Sequence, residues 1–237
     1  MSKTVLITGG NGAVGSALVR RFSADGCKVA FTYRSNEDSA RQLAAETGSS
    51  CFRAELRDRS QVRNLVQGVL AQFTNIDILV NNAGRTQVMP FALIEDEDWD
   101  DILSANLKTM FIVTQEVLRN MICRKSGVII NIGSLAGHRL LEVPVHYATA
   151  KAGVTGFTLA LAKELARYNI RVNEIVPGLL SKGVGTMVPA KEMAEYMNYC
   201  TTGRAGEPEE VANVVAFLAS DKASYMNAQS VFVDGGI

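Results

Sequence analysis

Three side chains in the second half of this 237-residue chain are spaced for proton transfer: Ser134, Tyr147 and Lys151. Ser134 closes the run Val128-Ile129-Ile130-Asn131-Ile132-Gly133, whose β-branched residues read as a buried strand. From Tyr147 through Lys163 the apolar positions Ala148, Ala152, Val154, Phe157, Leu159, Leu161 and Leu165 read as a long, largely buried helix. Four residues apart on it, Tyr147 and Lys151 share one face, with Cβ atoms about 5–6 Å apart. A free phenol titrates at about 10, so a working value near 7 needs about 4 kcal/mol of phenolate stabilisation. An ammonium on the next turn supplies part of it. Ser134 is then placed to hydrogen-bond a substrate oxygen that Tyr147 protonates. Tyr and Lys four apart also occur on helices that do no chemistry, so the elements around the pair have to carry the case.

Those elements alternate. Val5-Leu6-Ile7-Thr8 reads as a first strand, Gly9-Gly10-Asn11-Gly12-Ala13-Val14-Gly15 as a glycine-rich turn, and the pattern from Ala17 as a helix. Such a turn lets backbone N–H groups and a helix N-terminus approach a pyrophosphate. A second strand, Lys28 to Tyr33, ends in Arg34-Ser35-Asn36 with no acid before Glu37. An acid there would bind a ribose 2′-hydroxyl; Arg34 and Ser35 instead suit a 2′-phosphate, which favours NADPH over NADH. Strands at Ser50–Ala54 and Ile76–Val80 follow, the latter ending in Asn81-Asn82-Ala83-Gly84. A helix from about Trp99 to Met121 holds the polar Asn106 among Leu103, Leu107 and Phe111, which implies its burial. After the Tyr147 helix come a strand at Arg171–Val176, the loop opening with Pro177-Gly178, and a segment from Leu179 to Pro189 that reads as a mobile lid. Helices at Glu192–Cys200 and from Glu207 to Leu218 precede a last strand, Ser230–Val233, and Asp234-Gly235-Gly236.

Each crossover carries a helix long enough to cover a sheet face. Residues 1–237 are therefore expected to form a single doubly wound α/β domain of Rossmann type, built on a seven-stranded parallel sheet. Lys plus Arg and Asp plus Glu are 24 each, which offers no global field for nucleic acid and points to a small-molecule partner or a protein meeting a local patch. Cys27, Cys51, Cys123 and Cys200 stand far apart among apolar neighbours, as reduced core residues of a cytoplasmic protein would, with no metal-ligand spacing. Met1-Ser-Lys-Thr runs directly into the first strand, so neither a signal peptide nor a membrane span is expected.

Thr8-Gly9 to Gly15, Asn81-Asn82-Ala83-Gly84, Asn106, Ser134, Tyr147-Ala-Thr-Ala-Lys151, Pro177-Gly178 and Asp234-Gly235-Gly236 follow one another in an order that resembles the short-chain dehydrogenase/reductase family over nearly the whole chain. The resemblance implies a catalytic tetrad of Asn106, Ser134, Tyr147 and Lys151. Lys151 would also hold the nicotinamide ribose, and Asn106 would anchor a relay water. It implies a cofactor site made of Gly9, Asn11, Gly12, Ala13, Val14, Gly15, Arg34, Ser35, Glu55, Leu56, Asn82, Ala83, Gly84, Tyr147, Lys151, Pro177 and Gly178. Four departures stand out: Ala13 replaces a glycine of the first turn, Gly12 stands where a basic residue is frequent, so that NADP recognition rests on Arg34 and Ser35, Glu55 stands where an adenine-contacting Asp is usual, and Leu179-Leu180-Ser181-Lys182 lacks the usual Thr at the carboxamide. Within the family the chain is most similar to 3-oxoacyl-[acyl-carrier-protein] reductases, through residues 31–36 and 203–210. That implies NADPH, a homotetramer with the Tyr147 helix and the last strand at interfaces, and an acidic acyl carrier protein met by Arg124, Lys125 and Arg167 beside the active-site entrance. Reduction of a free ketone, sugar, polyol or polyketide is the alternative chemistry, and a non-catalytic cofactor-binding regulator is the alternative class.

Overall fold

The first strand, β1 (Thr4–Ile7), is buried along its length, and α1 (Ala13–Ala24) follows it across the glycine-rich turn. In the computed structural model, which describes residues 2–188 and 190–237, this strand-helix step repeats around a single sheet. The elements are β2 (Lys28–Tyr33), α2 (Glu37–Thr47), β3 (Ser50–Arg53), α3 (Arg59–Phe73), β4 (Ile78–Asn81), α4 (Asp96–Leu103), α5 (Thr109–Arg124), β5 (Gly127–Ile132), α6 (Val145–Leu165), β6 (Ile170–Pro177), α7 (Ala190–Tyr199), α8 (Pro208–Ala219) and β7 (Ser230–Val233).

All seven strands are parallel, in the order β3-β2-β1-β4-β5-β6-β7. Both faces are covered, as strands made of continuous Val, Leu and Ile runs require. The residues packed with α1, α2 and α8 form one core; those of α3, α5 and α6 form the other. Chain order reverses between β1 and β4, and the carboxyl ends of those two neighbours open the crevice in which such sheets bind ligands. The expected single domain and parallel sheet are both present.

Several expected details differ. The Trp99–Met121 helix is α4 and α5 joined by a π-helical turn, Ser104–Lys108. Asn106 is buried as expected, but beside Ile102, Ala105, Thr109 and Met110, while Phe111 faces outward at 43% exposure. The inward face of α6 is His146, Ala150, Lys151, Val154, Thr158, Ala162 and Leu165. Leu159 and Ala152, expected inside, are exposed, because part of this helix's apolar content belongs to a second, outward stripe. Cys123 is exposed rather than a core residue. The root of the Leu179–Pro189 segment is pinned: Ser181 N donates to Gly206 O and Gly206 N to Leu179 O, both at 2.9 Å. Residues Gly183–Met187 form a 3-10 turn, and Pro189 lies outside the described residues.

Candidate active site

The glycine-rich turn is shaped by what has no room to exist there. A Cβ on Gly10 would lie 2.5 Å from the ring of the fully buried Phe31, one on Gly15 would strike the Gly9 carbonyl, and Gly9 itself sits at φ 65°. Gly12 is the N-cap of α1 with no side-chain cap, so the first N–H groups of a 12-residue helix face the crevice unclaimed by a capping side chain. The turn is locked to the end of β4. Thr8 Oγ1 accepts from Asn82 N and Ala83 N, each at 2.9 Å, and Asn82 Nδ2 donates back to the Thr8 and Gly9 carbonyls. Asn11 Nδ2 reaches the Ser35 carbonyl at 3.0 Å, which ties the turn to the loop bearing Arg34. Gly178 approaches Asp234 so closely that a Cβ would lie 2.7 Å from its Cα, so the Pro177-Gly178 and Asp234-Gly235-Gly236 motifs meet across β6 and β7.

One cleft of about 1120 Å³ runs along these parts. It is lined by every residue expected in the cofactor set: Gly9, Asn11, Gly12, Ala13, Val14, Gly15, Arg34, Ser35, Glu55, Leu56, Asn82, Ala83, Gly84, Pro177 and Gly178, together with Asn106, Ser134, Tyr147 and Lys151. Sequence patterning does not single out its further walls: Leu140, Leu141 and Val143 after Ser134, and Tyr196 and Tyr199 on α7. The three-residue spacing of the two tyrosines is the available signal. The uncapped helix N-terminus, the excluded Cβ atoms and the exposed Arg34 at one end suit a nucleotide carrying phosphates.

Deeper in the cleft the four chemical residues converge. Ser134 leaves β5 extended, and its Oγ accepts from Ala136 N at 3.2 Å. Burial of the Tyr147 phenol holds its pKa above the ordinary value, outweighing the opposite pull of the nearby Ser134 hydroxyl. Lys151 is 7% exposed; its Nζ donates to the Ile132 carbonyl at 2.9 Å and lies 5.8 Å from the Tyr147 ring centre. Burial pulls its pKa down to about 8, opposed by the charge of Glu174. The expectation that Lys151 sets the Tyr147 acidity is therefore adjusted: in the protein alone burial is the leading influence on Tyr147, and it favours the protonated phenol. Asn106 Nδ2 donates to the Arg85 carbonyl at 2.8 Å and to the Ile102 carbonyl at 2.9 Å, while its buried Oδ1 has no partner among the described residues. The π turn makes this possible by offsetting Asn106 from the regular ladder. Gly84 passes so close that a Cβ there would lie 2.5 Å from Asn106 Oδ1 and 3.7 Å from Lys151 Nζ.

A family model described as enoyl-(acyl carrier protein) reductase matches residues 10–237. The 3-oxoacyl-[acyl-carrier-protein] reductase FabG of Thermotoga maritima is 37% identical over 99% of this chain and 97% of its own, and that of Chlamydia pneumoniae 36% identical over 100% and 97%. The chain belongs to the short-chain dehydrogenase/reductase family. Nodulation protein G of Rhizobium meliloti is 38% identical over 99% of the chain and 96% of its own. Among solved structures, a double mutant of a Serratia marcescens short-chain dehydrogenase/reductase superposes with a TM-score of 0.93 at 30% identity, covering 99% of this chain and 97% of its own. As a short-chain dehydrogenase/reductase the chain is an oxidoreductase, of a family that binds a nicotinamide cofactor.

One set of expected site residues lies elsewhere. Arg124, Lys125 and Arg167 precede β5 and β6, whose first paired residues are Gly127 and Ile170, so they stand at the amino ends of the strands, opposite the cleft. Arg124 is also fully engaged: it donates to Asp77 at 2.7 Å, to the Ile76 carbonyl at 2.6 Å and to Asn120 at 3.1 Å. Within one chain these cations do not border the entrance.

Proposed function

We propose that this chain catalyses the NADPH-dependent reduction of a ketone to a secondary alcohol, with 3-oxoacyl groups on an acyl carrier protein as the substrate. The observation that carries the reading is the convergence of Ser134, Tyr147 and the buried Lys151 at the inner end of a cleft whose outer end offers a helix N-terminus and Arg34. A nicotinamide held there would supply hydride to the carbonyl carbon. Ser134 orients the carbonyl oxygen by hydrogen bonding, and Tyr147, kept protonated by burial, delivers its proton to that oxygen. Lys151 stabilises the phenolate left behind, and Asn106 Oδ1 holds a water through which the proton is replaced. Leu140, Leu141 and Val143 give the acyl chain an apolar wall. The names of the Thermotoga and Chlamydia relatives support the carrier-bound substrate. Arg34, exposed on the cleft and followed by no acid before Glu37, supports NADPH over NADH.

The outward apolar stripe of α6, with Leu159 at 48% exposure, and the edge strand β7, with Phe232 at 37%, support a homotetramer. A monomer mass at micromolar concentration, measured by light scattering, would count against it. Lys125 and Arg167, both exposed, then reach a carrier at the cleft only from a neighbouring protomer.

The decisive experiment follows nucleotide oxidation by purified protein with a 3-oxoacyl carrier thioester, an enoyl carrier thioester and a free ketone, each with NADPH and with NADH. Turnover of the first with NADPH is expected. Preference for the enoyl thioester or the free ketone would replace the substrate, equal use of NADH would remove the role given to Arg34, and no turnover would favour a binding protein.

A further inference from the structure

Glu174 is a carboxylate inside a parallel sheet, fully inaccessible on β6, one strand in from the edge. A charge in that place needs partners, because burying an unpaired one is strongly unfavourable. Its partners come from three directions. Ser230 Oγ on β7 donates to Oε2 at 2.7 Å, Thr155 Oγ1 on α6 donates to Oε1 at 3.3 Å, and His138 Nε2, in the turn after Ser134, stands 3.5 Å from Oε1. On the fourth side the chain leaving β5 offers Gly133, where a Cβ would collide with Glu174 Oε1 and lie 2.9 Å from its Cδ. The residue just before Ser134 is thus small in the one place where a side chain would evict the carboxylate.

This carboxylate lies on the seam that holds Lys151. Lys151 Nζ donates to the Ile132 carbonyl, Ile132 pairs in register with Ile175 beside Glu174, and Thr155 sits one turn along α6 from Lys151. Among the described residues, the titratable groups near Glu174 are His138 from the turn, 3.5 Å away, and Lys151 from α6, which feels its charge across the Ile132 seam without a direct ion pair; β7 adds a hydroxyl and Gly133 only backbone. Lys151 in turn faces Tyr147 on its own helix and, past Gly84, the Asn106 amide.

We propose that Glu174 is the buried counter-charge that keeps Lys151 in its ammonium form and directs it along β5, making Glu174 a positioning residue for proton transfer by Tyr147. Its opposition to the burial of Lys151 has the sign this role requires. The assignment rests on the proposed reaction only for its kinetic consequence, since the charge state of Lys151 is measurable in the protein alone.

The test is NMR titration of protein labelled with [13Cε]lysine, the Lys151 signal being assigned by its loss in Lys151→Met. Glu174→Gln keeps the shape, its amide oxygen accepting from one of the two hydroxyls and its NH2 donating to the other, and should move the Lys151 titration to lower pH by about one unit, a tenfold change in its proton affinity. The basic limb of the kcat–pH profile should move with it. Should Glu174→Gln fail to fold, the double variant Gly133→Ser with Glu174→Ala fills the same space without charge and should give the same shift. His138→Gln removes one partner but leaves the charge, so its Lys151 titration should stay in place. An unchanged titration in the charge-free variants, or an equal shift in His138→Gln, would overturn the assignment. If the titration moves but no ketone is turned over, the proposed reaction fails and the Glu174–Lys151 coupling stands.

Discussion

Tyr147 is both the residue most directly legible in the sequence and the one whose surroundings the sequence hides. Its spacing to Lys151 and its distance from Ser134 in the chain mark it as a proton donor, yet only the structure shows that burial raises its pKa. Tyr147→Phe keeps the ring and loses the donor; kcat should fall by about 10²–10⁴-fold with an unchanged melting temperature. Its neighbour His146 is buried, accepts from Tyr147 N at Nδ1 over 2.9 Å, and has no partner for Nε2 among the described residues. Burial lowers its pKa, so the folded protein favours neutral imidazole. As pH falls below about 6.5 the unfolded chain takes up a proton that the folded chain refuses, and stability declines until the lowered folded value is passed. Urea melts at pH 7.5 and 5.5 should show a loss that His146→Gln reduces. Neither His146 nor Glu174 stands out in the sequence as a functional candidate. The polar letter inside an otherwise apolar run is visible in each case, but which neighbours meet it is a matter of register between strands and helix.

At the level of elements, strands are legible because parallel, doubly covered strands are nearly continuous in Val, Ile and Leu, and β7 has the limits its sequence predicts, Ser230–Val233. Helix limits differ where the sequence reading misses the true cap: α6 begins after Pro144, two residues before Tyr147. The π turn is illegible, since one wide turn rotates the apolar pattern by less than the scatter of the pattern itself. Its function depends on an equally silent neighbour, the bare Cα of Gly84. Gly84→Ala would push a methyl into Asn106 Oδ1. The variant should lose about 1–3 kcal/mol of stability in denaturant melts and, on the proposed mechanism, in which the displaced amide serves proton replacement rather than binding, lower kcat more than it raises KM.

For the whole molecule, the sheet's two ends have separate tasks. The carboxyl ends carry the cleft, with its closely packed glycines and unpartnered polar atoms. The amino ends carry ties: Arg124 with Asp77, and Lys3 with Asp221, each at 2.7 Å. Treating Arg124 as a docking cation takes its place in the chain as its place in space; a residue that precedes a parallel strand necessarily lies at the far end from one that follows it. Arg124→Glu should therefore destabilise the fold by about 1–3 kcal/mol, placing an acid against Asp77, and slow carrier-bound and free substrates equally. A selective loss on the carrier-bound substrate would restore the docking role. This separation also bears on how such a chain can change. Altered substrate preference must come from the crowded end, where most replacements cost stability, but compensating replacements can accumulate at the other end without touching the chemistry. A lineage, or a laboratory selection, can thus strengthen the amino ends first and explore new cleft walls afterwards.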